Sequence, residues 1–294
     1  MRKWYKYSLD SVSCGVRTET VDHTYAEHAR SMGGYEIDES YNSQELFFKR
    51  YFTGYHWGRL ESYDRFLRAH LQKNWQILSV GSGRCANEMR LACDGYSVTC
   101  SDLEWMHMHE ATRRLFPSFK YTILDILRGP APARYDAVIA LSLIYLFNQH
   151  QLDTFFANVA ASLRPGGLLL LDSAGSPDNL PSYLIHDVSL PLDIHLARIW
   201  HFATRRKWEG IRIKHFGYRR TDRDILQAAA AHGFLLTARW TSGYTIEFRR
   251  IRWIEPLIRR FQVVEHIAEF LGRSVPYIRM FALRKDESGC QETS

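Results

Sequence analysis

The feature that most constrains this chain is a glycine turn between an apolar run and a helical pattern. Residues 76–80 read Gln-Ile-Leu-Ser-Val and lead into Gly81-Ser82-Gly83, and a second apolar run ends in Asp102. A strand, a glycine turn, a helix and a strand that ends in a carboxylate commonly hold adenosine in α/β proteins, because glycine lets the backbone approach the ligand. The sequence therefore predicts a nucleoside cofactor on this turn, with Asp102 accepting hydrogen bonds from the ribose hydroxyls.

The turn alone leaves two cofactors open. With Gly81, Gly83 and Ala86 it fits the Gly-x-Gly-x-x-Ala turn of dinucleotide-binding proteins, and Asp102 lies about as far downstream as that pattern requires. With Cys85 in the place of a third glycine, it fits the looser loop of enzymes that use S-adenosylmethionine (SAM). The segments that follow the turn favour SAM.

Three further segments follow in order. Residues 121–127 read Tyr-Thr-Ile-Leu-Asp-Ile-Leu, residues 134–146 carry Tyr-Asp-Ala-Val-Ile, and residues 163–172 read Leu-Arg-Pro-Gly-Gly and then four leucines and an aspartate. This succession over residues 76–172 resembles the class I SAM-dependent methyltransferases. The resemblance implies a Rossmann-like α/β fold, in which a mostly parallel seven-stranded sheet has an antiparallel last strand and is joined by a helical N-terminal region and a cap insertion.

The resemblance also implies SAM as cofactor, S-adenosylhomocysteine as product, and a set of cofactor-binding residues. These residues are Ser79, Gly81, Ser82, Gly83, Asp102, Leu103, Asp125, Ile126, Leu141 and Ser142. Among them, Asp125 is expected to contact the adenine amino group, with Ile126 beside the ring. The family usually has an acid two positions before the first glycine, where this chain has Ser79, and Cys85 replaces the third glycine. Both departures bear on how the methionine end is seated.

Composition and patterning divide the chain into five expected segments. They are an N-terminal arm and helical cover (1–75), the SAM-binding core (76–172), a cap that selects the substrate (173–220), the C-terminal part of the fold (221–285) and a disordered tail (286–294). Residues 1–40 read as an irregular or partly helical arm. Helical patterns are expected at 190–208 and 221–232, and strands at 234–239, 245–252 and 277–283.

Two compositional signals bear on location and metal content. No run of about 18 apolar residues occurs, and no signal-peptide core follows the first residues, so we expect a cytoplasmic protein. The five cysteines form no Cys-x-x-Cys pair and have no zinc-like histidine spacing, so we expect no metal.

Positive charge is concentrated in one region. Between Leu196 and Arg260 there are 15 Lys or Arg residues and 5 Asp or Glu residues, while the whole chain has a net charge of +6. This region is either a solvated basic face or a surface that attracts a phosphorylated or carrier-linked substrate, an anionic membrane or RNA. RNA is the weaker option, because residues 141–145 read Leu-Ser-Leu-Ile-Tyr where enzymes that methylate base amino groups have Asn-Pro-Pro-Tyr or Asp-Pro-Pro-Tyr.

The sequence favours methyl transfer to a hydroxyl or amine of a small or carrier-linked acceptor, such as a sugar or secondary metabolite. Residues 215–221 are similar to a segment in methyltransferases of bacterial polysaccharide and natural-product pathways. The protein must hold the acceptor in line with the sulfur at ~3 Å and remove a hydroxyl proton. His186 and His215 are the candidate general bases, and Tyr145 is the candidate for orienting the acceptor.

Three alternatives remain open at this point: an RNA methyltransferase, a SAM-binding protein without turnover, and an NAD-dependent oxidoreductase. The oligomeric state is also open.

Overall fold

The computed structural model describes residues 1–19, 37–50 and 59–287. The chain forms two compact units. The core unit contains residues 24–173, 223–241 and 279–294, and the accessory unit contains residues 1–23, 174–222 and 242–278. The N-terminal residues thus group with most of the segment expected to be a cap. Residues 288–294 of the expected disordered tail lie outside the described residues.

Strands and helices alternate through the middle of the chain, as the sequence patterns predict. The strands are β1 (Arg2–Asp10), β2 (Val16–Glu19), β3 (Gln76–Val80), β4 (Ser97–Asp102), β5 (Lys120–Ile123), β6 (Tyr135–Ala140), β7 (Leu163–Ala174), β8 (Gly210–Arg219), β9 (Phe234–Ser242) and β10 (Ile278–Lys285). The helices are α1 (Gln44–Lys49), α2 (Arg59–His70), α3 (Ala86–Cys93), α4 (His107–Leu115), α5 (Gln149–Ser162), α6 (Leu180–Tyr183), α7 (Leu190–Arg205), α8 (Asp222–Ala230), α9 (Ile246–Arg249), α10 (Glu255–Arg260) and α11 (Gln262–Gly272). Short 3-10 helices cover Glu39–Asn42 and Ile144–Leu146, and a π-helix covers Leu184–Ser189.

The core unit is built on a seven-stranded sheet in the order β5-β4-β3-β6-β7-β10-β9. The pairs β3/β4, β3/β6, β4/β5 and β6/β7 are parallel, so the sheet is mostly parallel, and antiparallel pairing occurs at its last strands. The expected Rossmann-like fold is therefore confirmed. Because parallel strands are covered on both faces, they read as continuous apolar runs, and residues 168–171 of β7 are all buried.

Local signals fix the start of helix α5. Asn148 and Gln151 form a capping box, in which the backbone N–H of each donates to the side chain of the other at 2.9 Å. Behind this start, Phe155 and Phe156 are fully buried in the main core of the sheet, together with Phe281 of β10. Capping and apolar periodicity therefore agree on the position of this helix.

The accessory unit contains a three-stranded sheet in the order β1-β8-β2, in which β1 runs antiparallel and β2 parallel to β8. The expectation of an irregular or partly helical arm was wrong for residues 2–10 and 16–19, which are strands. Their pairing partner, β8, lies about two hundred residues away, with Arg2 opposite Arg219, so no local pattern could show it. Strand β8 also lies inside the segment expected to be a cap.

A second correction concerns residues 245–252, which were expected to form a strand. Helix α9 begins at Ile246 instead, and buried Ile251 packs with Ile185 and Val275. The apolar residues of this stretch therefore serve a small separate core rather than one face of a sheet. Helix α7 and strands β9 and β10 lie where the sequence predicts them.

Within the described ranges, no helix combines the length and the apolar character needed to cross a bilayer.

Candidate functional site: a glycine turn and a pocket in the core unit

The turn after β3 uses a left-handed backbone at three positions. The φ angles are +65° at Gly81, +51° at Gly83 and +61° at Cys85. Glycine adopts such angles without the steric penalty of a Cβ atom, whereas other residues are uncommon there. Cys85 thus occupies a conformation that glycine prefers, and its side chain is fully buried at the start of α3. The residue that departs from the family pattern therefore adopts a left-handed conformation in this chain.

Hydrogen bonds from β4 hold this turn in place. The backbone N–H of Ser82 donates to the carbonyl of Ser101 at 3.0 Å, and the backbone N–H of Ser101 donates to the Ser82 hydroxyl at 2.9 Å. The Ser101 hydroxyl donates to the carbonyl of Ser79 at 2.8 Å. The turn is therefore fixed to the neighbouring strand by its own side chains.

His109 of α4 supports the same turn, a role that was not predicted from the sequence. Its Nδ1 accepts the backbone N–H of Met106 at 3.0 Å, and its Nε2 lies 2.9 Å from the carbonyl of Gly83. Burial lowers the pKa of His109, against a smaller opposing effect of the Gly83 carbonyl. A neutral ring that carries its hydrogen on Nε2 satisfies both contacts. No motif marks this histidine, because its partner lies 26 positions away.

Asp102 is the last residue of β4, and its side chain faces the turn. One carboxylate oxygen accepts the backbone N–H of Gly83 at 3.1 Å, and the other accepts the backbone N–H of Leu103 at 2.9 Å. Burial raises the pKa of Asp102, while these two donors oppose the rise. A carboxylate has about four acceptor positions, so this one has capacity for ribose hydroxyls as well.

A pocket of about 240 Å³, open to solvent, begins at this carboxylate. It is lined by Val80, Gly81, Asp102, Leu103, Leu124, Asp125, Ile126, Leu127, Leu143 and Phe147. Five of the ten predicted cofactor-binding residues are in this lining. Its two carboxylates can accept hydrogen bonds from polar groups of a ligand, and its apolar side chains can pack against a flat ring. The lining therefore combines polar and apolar groups of the kinds that an adenosine would contact.

Asp125 lies just beyond β5, which ends two residues earlier, at Ile123. One oxygen of its carboxylate accepts the backbone N–H of Leu127 at 3.0 Å, and the other is 3.2 Å from Nε of Arg128. The Asp125 side chain is thus held at the pocket wall by its own loop.

Ser79 lies behind the turn, and a buried acid lies beside it. The Ser79 hydroxyl donates to Oε1 of Glu88 at 2.6 Å, and both side chains are buried. Burial raises the pKa of Glu88, and the Ser79 hydrogen bond opposes that rise. Helix α3 thus places a carboxyl next to the position where the resembling family has an acid on the strand. Glu88 was not singled out from the sequence, because the family pattern places the acid at position 79.

A second buried polar cluster lies at the ends of β6 and β7 and consists of Arg59, Tyr63, Ser142 and Asp172. The Tyr63 hydroxyl donates to Asp172, as does the backbone N–H of Ser142. Arg59 donates to the Tyr63 hydroxyl at 2.9 Å and also to the Ser142 hydroxyl. Ser142 has a φ of +56°, so its backbone is strained where this cluster meets the pocket-lining Leu143.

The chemistry of this cluster is set by burial. Burial raises the pKa of Asp172, although the nearby charge of Arg59 opposes the rise, and burial raises the pKa of Tyr63 well above its ordinary value. Ser142 was predicted as a cofactor-binding residue, whereas Asp172 was not singled out. It ends an apolar run in a carboxylate as Asp102 does, so the signal was present in the sequence.

The predicted catalytic residues fall in both units. Tyr145 lies in the 3-10 helix Ile144–Leu146 of the core unit, between pocket-lining Leu143 and Phe147. His186 and His215 are in the accessory unit. Nε2 of His186 lies 3.0 Å from Oε1 of Glu247, and Nε2 of His215 lies 2.9 Å from the carbonyl of Gly217.

Comparison with known proteins agrees with this geometry. Residues 77–167 match the sequence model of a family described as a methyltransferase domain. No curated protein matches the chain.

Two solved structures share the fold. The cyclopropane synthase MmaA2 from Mycobacterium tuberculosis is 20% identical, with a TM-score of 0.55 over 89% of this chain and 99% of that one. Magnesium protoporphyrin IX methyltransferase (ChlM) from Synechocystis PCC 6803, with bound SAH, is 13% identical, with a TM-score of 0.50 over 89% of this chain and 94% of that one. At these identities the likeness concerns the fold. Residues 77–167 thus match a methyltransferase domain, and the glycine turn and the strand order give the chain the fold of the class I SAM-dependent methyltransferases.

Proposed function

We propose that this enzyme transfers the methyl group of SAM to a hydroxyl or amine of a small or carrier-linked acceptor, such as a sugar or secondary metabolite. The observation that carries the proposal is the cluster around buried Asp172, which adjoins the pocket beside Asp102 through Ser142 and Leu143. A hydroxyl acceptor must lose its proton during transfer, and a carboxylate with a raised pKa is a suitable base.

The core unit supplies the groups that bind the cofactor. Asp102 accepts the ribose hydroxyls, and Asp125 accepts the adenine amino group with Ile126 against the ring. The backbone of the glycine turn lies along the cofactor, and the remaining predicted contacts are Ser79, Ser82, Leu103, Leu141 and Ser142. Glu88 takes the place of the acid missing at position 79 and attracts the methionine ammonium group.

When bound, SAM supplies an electrophilic methyl group on a sulfonium. The acceptor oxygen forms the new bond to carbon as the carbon–sulfur bond breaks, and the electron pair stays on sulfur. The acceptor proton passes to a base of this chain. Asp172, held by Tyr63 and Ser142, is the base in the core unit, and Tyr145 orients the acceptor. His186 and His215 stay alternative candidates in the accessory unit, which contains all but the first residue of the proposed cap, residues 173–220.

The experiment that tests this function has two arms. Isothermal titration with SAM, S-adenosylhomocysteine and NAD is expected to show binding of the first two only. In the second arm, a tritiated methyl group is transferred into a cell extract, which is then separated into small-molecule, lipid and RNA fractions. The label is expected in the small-molecule or the lipid fraction. Label in RNA would support an RNA methyltransferase instead, and binding without any transfer would support a non-catalytic SAM-binding protein.

A further inference from the structure

Helix α7 of the accessory unit turns an apolar face to solvent. The exposed fractions are 55% for Leu192, 49% for Leu196, 55% for Ile199 and 68% for Trp200. The spacing of these residues places them on one side of the helix. A surface helix normally turns such a stripe towards the core, so α7 has the opposite orientation.

The opposite side of α7 is attached by polar groups. Arg198 donates to the carbonyl of Glu209 at 2.6 Å and to that of Cys14 at 2.5 Å. Nδ1 of His201 lies 2.9 Å from Oε2 of Glu209. These contacts fix the rotation of the helix about its axis and keep the apolar stripe outward.

The apolar stripe leads into a group of cations. Helix α7 ends at Arg205, and the C-cap residue Arg206 has a φ of +55°; Arg205, Arg206 and Lys207 are all exposed. In the part of the chain that the structure describes, none of the three forms an ion pair. Trp208 follows, with the Arg198 guanidinium 4.2 Å from its ring centroid.

A second outward apolar stretch lies in the same unit, on α10 and α11. Its exposed members are Trp253, Leu257, Phe261, Val263, Ile267, Phe270 and Leu271. Exposed Arg260 and Arg273 accompany them. Apolar and aromatic side chains next to cations are the pattern of segments that lie in the interface of a bilayer.

We infer that the accessory unit docks on an anionic membrane surface through α7, with the side chains of the stripe inserted at the headgroup level and residues 205–207 contacting lipid phosphates. Charge favours this occupant over a second copy of the chain. The one acid of α7, Asp193, is buried, so the helix offers no exposed acid that could pair with the cations of another α7. Anionic lipid supplies both a hydrocarbon boundary and negative charge. This inference is independent of the acceptor and of methyl transfer.

The test is cosedimentation of the full-length protein with two kinds of vesicle, phosphatidylcholine alone and phosphatidylcholine mixed with phosphatidylglycerol. The wild type is expected to bind the mixed vesicles, more weakly as salt rises because exposed charges are screened over ~8 Å at physiological ionic strength. The double substitution Leu196→Ser with Trp200→Ser removes part of the stripe, and Arg205→Glu, Arg206→Glu and Lys207→Glu together reverse the charge. Each is expected to weaken binding at least ~10-fold.

Matched controls come from the core unit, where Leu235 and Leu236 are also exposed. Leu235→Ser with Leu236→Ser is expected to leave vesicle binding unchanged, as is Arg113→Glu. Circular dichroism confirms that each variant is folded. No binding of wild type to mixed vesicles, or full binding by the α7 variants, would overturn the inference. A dimer in sedimentation velocity that the serine variant abolishes, without vesicle binding, would assign the face to a second copy.

Discussion

The hydroxyl of Ser79 lies 2.6 Å from a carboxylate oxygen of Glu88, and both side chains are buried behind the glycine turn. The family's acid on the strand is absent from this chain, yet a carboxyl is present at the same turn, supplied by the first turn of α3. The serine therefore anchors an acid that comes from elsewhere in the sequence. We propose on this basis that Ser79 acts in cofactor binding through Glu88.

Replacing Glu88 with Gln keeps the size of the side chain and removes its charge. We expect the affinities for SAM and S-adenosylhomocysteine to fall together by at least ~10-fold, because a hydrogen bond to a charged group contributes roughly 1.5 to 3 kcal/mol. Isothermal titration measures both. Methylthioadenosine, which lacks the amino acid part, should bind as before, and Glu110→Gln on the surface of α4 is the matched control. An equal loss of affinity for methylthioadenosine would mean that Glu88 only shapes the turn.

Asp102 is expected to bind the adenosine half of SAM, whereas Glu88 is expected to bind its amino acid half. Asp102→Ala removes the acceptors of the Gly83 and Leu103 N–H groups as well as those for the ribose, so SAM affinity should fall at least ~10-fold. The affinity for methylthioadenosine is expected to fall by the same factor, since this ligand contains the same ribose. Unchanged SAM affinity in a folded Asp102→Ala protein would refute the ribose assignment.

The sequence predicted those parts of the fold that are determined locally. The glycine turn, the α5 capping box and the apolar strands each depend on residues close together in the chain, so their pattern is visible in the sequence. Strand β1 is different, because Trp4 alone among its nine residues is buried, and the segment becomes a strand through its pairing with β8. The prediction of a strand at 245–252 was wrong for a related reason, since the apolar residues of this stretch pack on distant Ile185 and Val275.

The candidate site divides in the same way. Asp102 and Gly81 follow from a motif, whereas Tyr63 and Asp172 are 109 positions apart and become partners only when α2 packs at the end of β7. His109 and Glu88 likewise act through tertiary contacts with the turn. A single sequence shows which residue types are present and does not show such pairings.

Asp172 is expected to matter for turnover rather than for cofactor affinity. Asp172→Asn keeps the shape of the cluster and removes its base, so kcat should fall roughly 100-fold while the SAM Kd stays within a factor of about two. Tyr63→Phe, which removes one donor to Asp172, should have a smaller effect in the same direction. Steady-state kinetics and titration separate the two quantities. Full turnover by Asp172→Asn would direct the search for the base to His186 and His215.

The buried Glu247 of the accessory unit makes a prediction about stability and pH. Burial alone would raise the pKa of Glu247, but the charges of His186 and Arg250 and the His186 hydrogen bond outweigh it and lower the pKa to about 2. Arg250 lies 3.2 Å from Oε2 and keeps its positive charge from acidic to neutral pH, whereas burial lowers the pKa of His186, so the charge of His186 acts on Glu247 only where that histidine is protonated. A lowered carboxyl pKa stabilises the folded state above the ordinary pKa of the unfolded chain.

That stabilisation should be lost as pH falls from the ordinary glutamate pKa towards about 2, because the unfolded chain takes up its proton first. Guanidinium unfolding at a series of acidic pH values measures the slope. In Glu247→Gln the free energy of unfolding should be lower near neutral pH, since Arg250 loses its charged partner, and should fall less steeply with acid. Glu110→Gln, at an exposed site, should keep the wild-type slope. If Glu247→Gln loses stability in acid as steeply as the wild type, another buried carboxylate carries the effect.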